Sequence, residues 1–121
     1  MIRAITLIVL LTTSIQLSFA DNNSERYRKQ CTDIIAAKGR SNSAERLWKL
    51  FDANWEYRMT ASPESATWRG YPGPNDRWSD LSMEALAAGK EDARLTLSTI
   101  LSVDRAELSE TDQLNYDLFR R

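Results

Sequence analysis

Beyond residue 20, apolar positions recur at three- and four-residue steps, the spacing of a helix face rather than of a strand. Between Glu25 and Lys38 the stripe is Tyr27, Cys31, Ile34 and Ile35, and Gly39 supplies a C′ stop. The polar connector GRSNS, Gly39 to Ser43, follows. Asn42, with Glu45 three residues on, starts a second helix in a capping-box-like arrangement. Its apolar face is Leu47, Trp48, Phe51, Trp55 and Met59, with Lys49, Asp52 and Arg58 outward. Ser62-Pro63-Glu64 restarts a short helix to about Trp68 or Arg69. Gly70-Tyr71-Pro72-Gly73-Pro74-Asn75-Asp76 then enforces an irregular loop. Ser82 caps a long helix from Met83 to about Ser102, with Leu86, Ala93, Leu97, Ile100 and Leu101 on one face. Gly89 lies inside it, a position where a neighbour can approach closely. After a turn at Val103 to Leu108, Ser109 with Asp112 opens a fifth helix carrying Leu114, Leu118 and Phe119. The expected architecture is all-α: about five helices in an irregular array with an incomplete core. No repeat or strand pattern competes with it.

The first twenty residues have a different character. Arg3 is a short positive region, AITLIVLL an apolar one, and Ser18-Phe19-Ala20 a small-x-small cleavage pattern. The apolar run is shorter than the roughly 20 residues needed to span a bilayer. The expectation is a cleavable signal peptide, cut after Ala20, with a periplasmic or secreted product of 101 residues and no membrane association after cleavage. Residues 21–42 then form an N-terminal helix and connector, and residues 43–121 the main helical part.

Composition narrows the chemistry. The 121 residues include no histidine and a single cysteine, Cys31. Histidine is the usual base near neutral pH and the commonest metal ligand, so Ser-His-Asp, Cys-His and histidine-zinc arrangements cannot be built from this sequence. A lone cysteine allows no internal disulfide, and its helical spacing among apolar residues favours a buried role over a reactive thiol. Loss of Arg3 takes the net charge from −1 to −2 with signs interspersed, so no basic patch indicates nucleic acid.

An ordered series of short signatures begins near Leu47. FDANWEYRMTASPESATWRGYPGPNDRWSDLSMEAL is followed by LSTILSVDRAELSETDQLNYDLFRR. Over Leu47 to Arg121 this resembles the N-terminal part of the bacterial family called domain of unknown function 885, whose members are long, helical, often exported and zinc-metallopeptidase-like. The resemblance implies zinc-assisted amide hydrolysis in the full-length protein, with peptide as a candidate substrate. The family's metal ligands and catalytic glutamate belong to a downstream His-Glu…His motif, so no catalytic, cofactor-binding or metal residue carries over to this chain. The helix that runs to Arg120-Arg121 has no Gly, Asn or Pro stop. It fits either a frayed end or a continuing helix, and the resemblance favours the second. The expected partner is then the protein's own C-terminal region. The alternative is a self-contained small cell-envelope protein that binds another helical partner.

Four groups are candidates for a site. Tyr71, Asn75, Asp76, Arg77, Trp78 and Asp80 could border a substrate groove, although tying down the loop, with Trp78 plugging the core, is favoured. Asp52 with Glu56, and Glu107 with Glu110, are carboxylate pairs on polar faces, where solvation is favoured over acid–base work. Trp48 and Trp55 could stack a sugar or base, but their phase with Leu47 and Phe51 favours core packing. Lys90, Glu91 and Arg94 look like a solvated face.

Overall fold

The structure is a computed structural model that describes residues 22–73 and 76–121. The expected signal peptide, Met1 to Ala20, and Asn75 lie outside the described residues. Helix α1 covers residues 22–36, α2 Ser43–Ala61, α3 Pro63–Trp68, α4 Met83–Leu101 and α5 Glu110–Phe119, with a 3-10 turn at Arg105–Glu107. The architecture is all-α, and none of these helices is long and apolar enough to cross a membrane.

Local chemistry sets the helix ends. Gly39 and Gly70 take positive φ, +81° and +65°, where an L side chain would be strained. The Asn42 side chain accepts from the Glu45 amide at 2.7 Å, Ser82 from Ala85 at 3.2 Å and Ser109 from Asp112 at 3.2 Å. Each supplies a partner to an amide that has none within its helix. Ser62 departs from its expected role. Its hydroxyl bonds Ser65 Oγ instead of capping a backbone amide, and Pro63, which has no N–H to satisfy, starts α3.

The core gathers Tyr27, Cys31 and Ile34 of α1, Leu47, Leu50 and Ala53 of α2, Ile100 of α4, Val103 and Leu108 of the turn, and Tyr116 of α5. Of the expected α1 stripe, Tyr27, Cys31 and Ile34 are buried and Ile35 is half-buried. The other stripes are buried only in part. On α2 the interior takes Ser43, Arg46, Leu47, Leu50, Ala53 and Met59, while Trp48 and Trp55 remain 48% and 47% exposed. One residue is a 100° turn of a helix, so the apolar sector of α2 is wide and the core uses one flank of it. Neither tryptophan packs into the core as its helical phase led one to expect. On α4 only Ile100 of the expected face is buried; Leu86, Ala93, Leu97 and Leu101 are exposed, and Asp92 and Thr99 point inward. On α5 the buried residue is Tyr116, with Leu114 and Leu118 outside and Phe119 half-buried.

The interior chose polar flanks because they complete one another. Buried Asp92 accepts from Arg28 Nε and from the Tyr57 hydroxyl at 2.7 Å. Tyr27 stacks on Tyr57 with ring centroids 4.3 Å apart, shares a 2.6 Å hydrogen bond with Thr96 and accepts from Asn54 at 2.9 Å. Arg46 donates to Ile34 O at 2.9 Å, Ser102 O at 3.1 Å and Ser102 Oγ at 2.6 Å. Among the described residues, every buried side-chain nitrogen and oxygen has a partner, as the cost of an unmet buried group demands. These bonds join α1, α2 and α4. Part of the apolar surface of α2 and α4 is left outside.

Candidate functional site

Only Ser62 separates α2 from α3, so α3 turns back alongside the end of α2. Arg69, just past α3, lies over the Trp55 ring at 5.6 Å, a cation–π distance. On the other side α5 brings Phe119 to Phe51, with ring centroids 4.8 Å apart, and Trp48 meets Phe51 edge-on at 5.4 Å. Between these elements lies a groove of about 580 Å³. Phe51, Asp52, Asn54, Trp55, Arg58 and Met59 of α2 line it, with Ser62, Ser65, Arg69, and Asn115, Leu118 and Phe119 of α5.

Groove chemistry is asymmetric. Its floor is aromatic and aliphatic. Arg58 and Arg69 give positive charge toward the end of α2, and Asp52 gives negative charge six residues earlier. Arg58, Arg69 and Asp52 form no ion pair among the described residues, and the Asn115 amide makes no internal hydrogen bond there. A volume of this size falls within the ~300–1,000 Å³ range of small-ligand sites.

The sequence candidates scatter. Trp55 lines the groove, whereas Trp48 lies at its margin and donates from Nε1 to Asp112 at 3.2 Å. The indoles are accessible after all, but as parts of an aromatic surface, not as a bare stacking pair. Asp52 enters the groove while Glu56 pairs with Arg26 at 3.1 Å, so the structure separates that carboxylate pair by role. Glu107 accepts from the buried Ser43 hydroxyl at 2.6 Å, and Glu110 lies in the first turn of α5. In the 70–80 loop, Trp78 is 83% exposed, so it does not plug the core. That loop is tied instead by Glu64, which accepts from the Ser79 amide at 2.9 Å and the Ser79 hydroxyl at 2.5 Å. Asp80 accepts from the Ser82 amide at 2.9 Å. These hydrogen bonds hold the Glu64 and Asp80 carboxyls below their usual pKa values. Asp76 pairs with Arg77, Arg94 with Glu91, and Lys90 is exposed.

Sequence reasoning missed the grouping of Arg58, Arg69 and Asn115. Arg58 follows Trp55 by three residues, so its neighbourhood on α2 was readable. Its meeting with Arg69 and Asn115 depends on the α2–α3 fold-back and on α5.

Zinc, which the family resemblance implies for a full-length protein, does not fit this donor set. The Cys31 thiol is fully buried, and burial raises its pKa, against the thiolate that a metal needs. Among the described residues no three His, Cys, Asp or Glu side chains cluster as a metal site. No family model matches the chain, and no curated protein or solved structure is significantly similar to it.

Proposed function

We propose that this chain is a noncatalytic helical segment of an exported metallopeptidase-like hydrolase, resembling the N-terminal part of the domain-of-unknown-function-885 proteins. Its outer apolar faces pack against helices that carry the chemistry, and its aromatic groove forms part of a substrate-cleft wall. One observation carries the reading. On α4, Leu86, Leu97 and Leu101 are 53%, 45% and 54% exposed, while Asp92 on the same helix is 1% exposed. A helix whose leucines face out and whose aspartate faces in has a second surface to bury. Large exposed apolar side chains on one helix fit a surface that another element covers. In this proposal the zinc and its activated water belong to the downstream region, and export rests on the Met1 to Ala20 pattern.

The gene beyond the codon for Arg121 tests the hydrolase assignment. The expected finding is an open frame that encodes a His-Glu…His helix; a stop codon at that point overturns it. The second reading is a self-contained cell-envelope module that binds a helical partner. It is favoured by the complete pairing of buried polar side chains among the described residues, because a unit that closes its own hydrogen bonds can fold alone. A sharp, reversible thermal transition of a monodisperse monomer supports this module. A broad transition with strong binding of a hydrophobic dye supports the segment.

A further inference from the structure

We propose that the groove between α2, α3 and α5 binds a medium-chain fatty acid. Its carboxylate sits at the end that carries Arg58 and Arg69, and its alkyl chain runs over Trp55 and Phe51 toward Phe119. The inference needs only that the groove is open to solvent. It does not depend on the hydrolase assignment, which the gene sequence tests separately.

The groove is cationic at one end. Phe51 and Arg58 stand seven residues apart on α2, within about 20° of two full turns. They therefore share one line of the helix, about 10 Å long, with Trp55 between them. Helical side chains lean toward the N-terminus of their helix, so Arg58 covers the turn that carries Trp55. Arg69 reaches the same turn from beyond α3, with its guanidinium 5.6 Å from the Trp55 ring centroid. Two cations converge on one indole, and neither forms an ion pair among the described residues. A planar guanidinium suits a carboxylate better than a point charge does. Ser62, whose amide bonds the Arg58 carbonyl at 3.0 Å, lines this end with Ser65, and their hydroxyls lie 2.9 Å apart. Only one of the two donates to the other, so one hydroxyl proton is left for an anion.

The body of the groove suits an alkyl chain. Phe51 and Phe119 make its floor, and Leu118 beside them is 57% exposed, apolar area that a ligand would cover. The line from Arg58 to Phe51 is longer than a single aromatic ring. An extended chain covers more of it than a compact aryl acid, and each buried methylene adds affinity. Asp52 lines the Phe51 end. Its negative charge repels a carboxylate there and so disfavours the reversed orientation. The cationic wall is held before any ligand arrives. Pro63 starts α3 and the cation–π contact anchors Arg69, so less ordering is required on binding.

Calorimetric titration of the full chain with octanoate tests this, alongside 1-octanol, which keeps the chain without the charge, and acetate, which keeps the charge without the chain. Octanoate is expected to bind on the order of tenfold or more tightly than octanol, the effect of charge-assisted contacts, and acetate to show no measurable binding. Replacing both arginines, Arg58→Gln with Arg69→Gln, should bring octanoate down to the level of octanol and leave octanol unchanged. Leu118→Gln should weaken both ligands alike. All three positions are exposed, so circular dichroism and the thermal midpoint should stay unchanged in these variants. The proposal is overturned by absence of binding at millimolar octanoate, by equal binding of octanoate and octanol, by acetate binding as tightly as octanoate, or by an octanoate affinity that survives loss of both arginines.

Discussion

The seam between α1, α2 and α4 buries polar groups beside its apolar core, while the outer faces of α2, α4 and α5 keep large apolar side chains in solvent. Inside are Asp92, Arg46, Asn54, two tyrosines and two threonines, bonded to one another or to helix ends. Outside are Trp48, Trp55, Leu97, Leu101, Leu114 and Leu118. The difference teaches that apolar area measures how much a surface gains from cover, not which surface is covered within one chain. A polar flank can face inward when its hydrogen bonds close, because the penalty attaches to the unmet group and not to polarity itself.

The largest effect that would break this contrast is on the inside. Asp92→Ala leaves the Tyr57 hydroxyl without its acceptor and Arg28 without its counter-charge. It should cost about 3 kcal/mol by denaturant titration, the low end for a broken buried pair because Arg28 reaches water. A loss below about 1 kcal/mol would mean that the seam is not a stabilising network.

Alkaline pH gives a smaller effect. Burial pushes Tyr27 and Tyr57 up to about 12 from 10.0. For Tyr57 the hydrogen bond to Asp92 also raises it. The fold therefore favours neutral phenols. Their contribution is fully present below about pH 10 and is lost as pH rises toward about 12. The thermal midpoint should fall across that window, and Tyr27→Phe should shrink the fall. Cys31 offers a parallel reading. Its raised pKa and complete burial predict that a thiol reagent at pH 8 labels it only after unfolding.

The smallest effect belongs to the outer face. Leu97→Gln should change stability by no more than about 0.5 kcal/mol while lowering hydrophobic-dye binding. A loss of 2 kcal/mol or more, roughly that of a core leucine, would show that Leu97 is buried and that the contrast is false.

The sequence was most legible where one pattern stood alone. On α1 the apolar stripe of Tyr27, Cys31 and Ile34 is also the buried one. Caps at Asn42, Ser82 and Ser109 were readable because they are local, needing only a side chain and an amide three residues on. On α2, α4 and α5 the hydropathy stripes are only partly buried: Leu47, Met59 and Ile100 face inward and Phe51 and Phe119 pack against the core, while Trp48, Trp55, Leu97, Leu101, Leu114 and Leu118 stay exposed. Periodicity weighs Trp48 above Ala53 and Leu97 above Thr99, and it cannot register that Asp92 meets Tyr57 from another helix. The groove was half legible. Trp55 and Phe51 stood out as aromatic, but Arg69 and Asn115 join them only through tertiary structure.

Arg46 has a consequence for how the molecule opens. Its guanidinium holds a carbonyl in the last turn of α1 and another at the cap of α4. Withdrawing one side chain uncaps two helices together. Slow exchange of the amides at those ends should therefore collapse in concert, as a single event whose rate follows the departure of Arg46 from its seat.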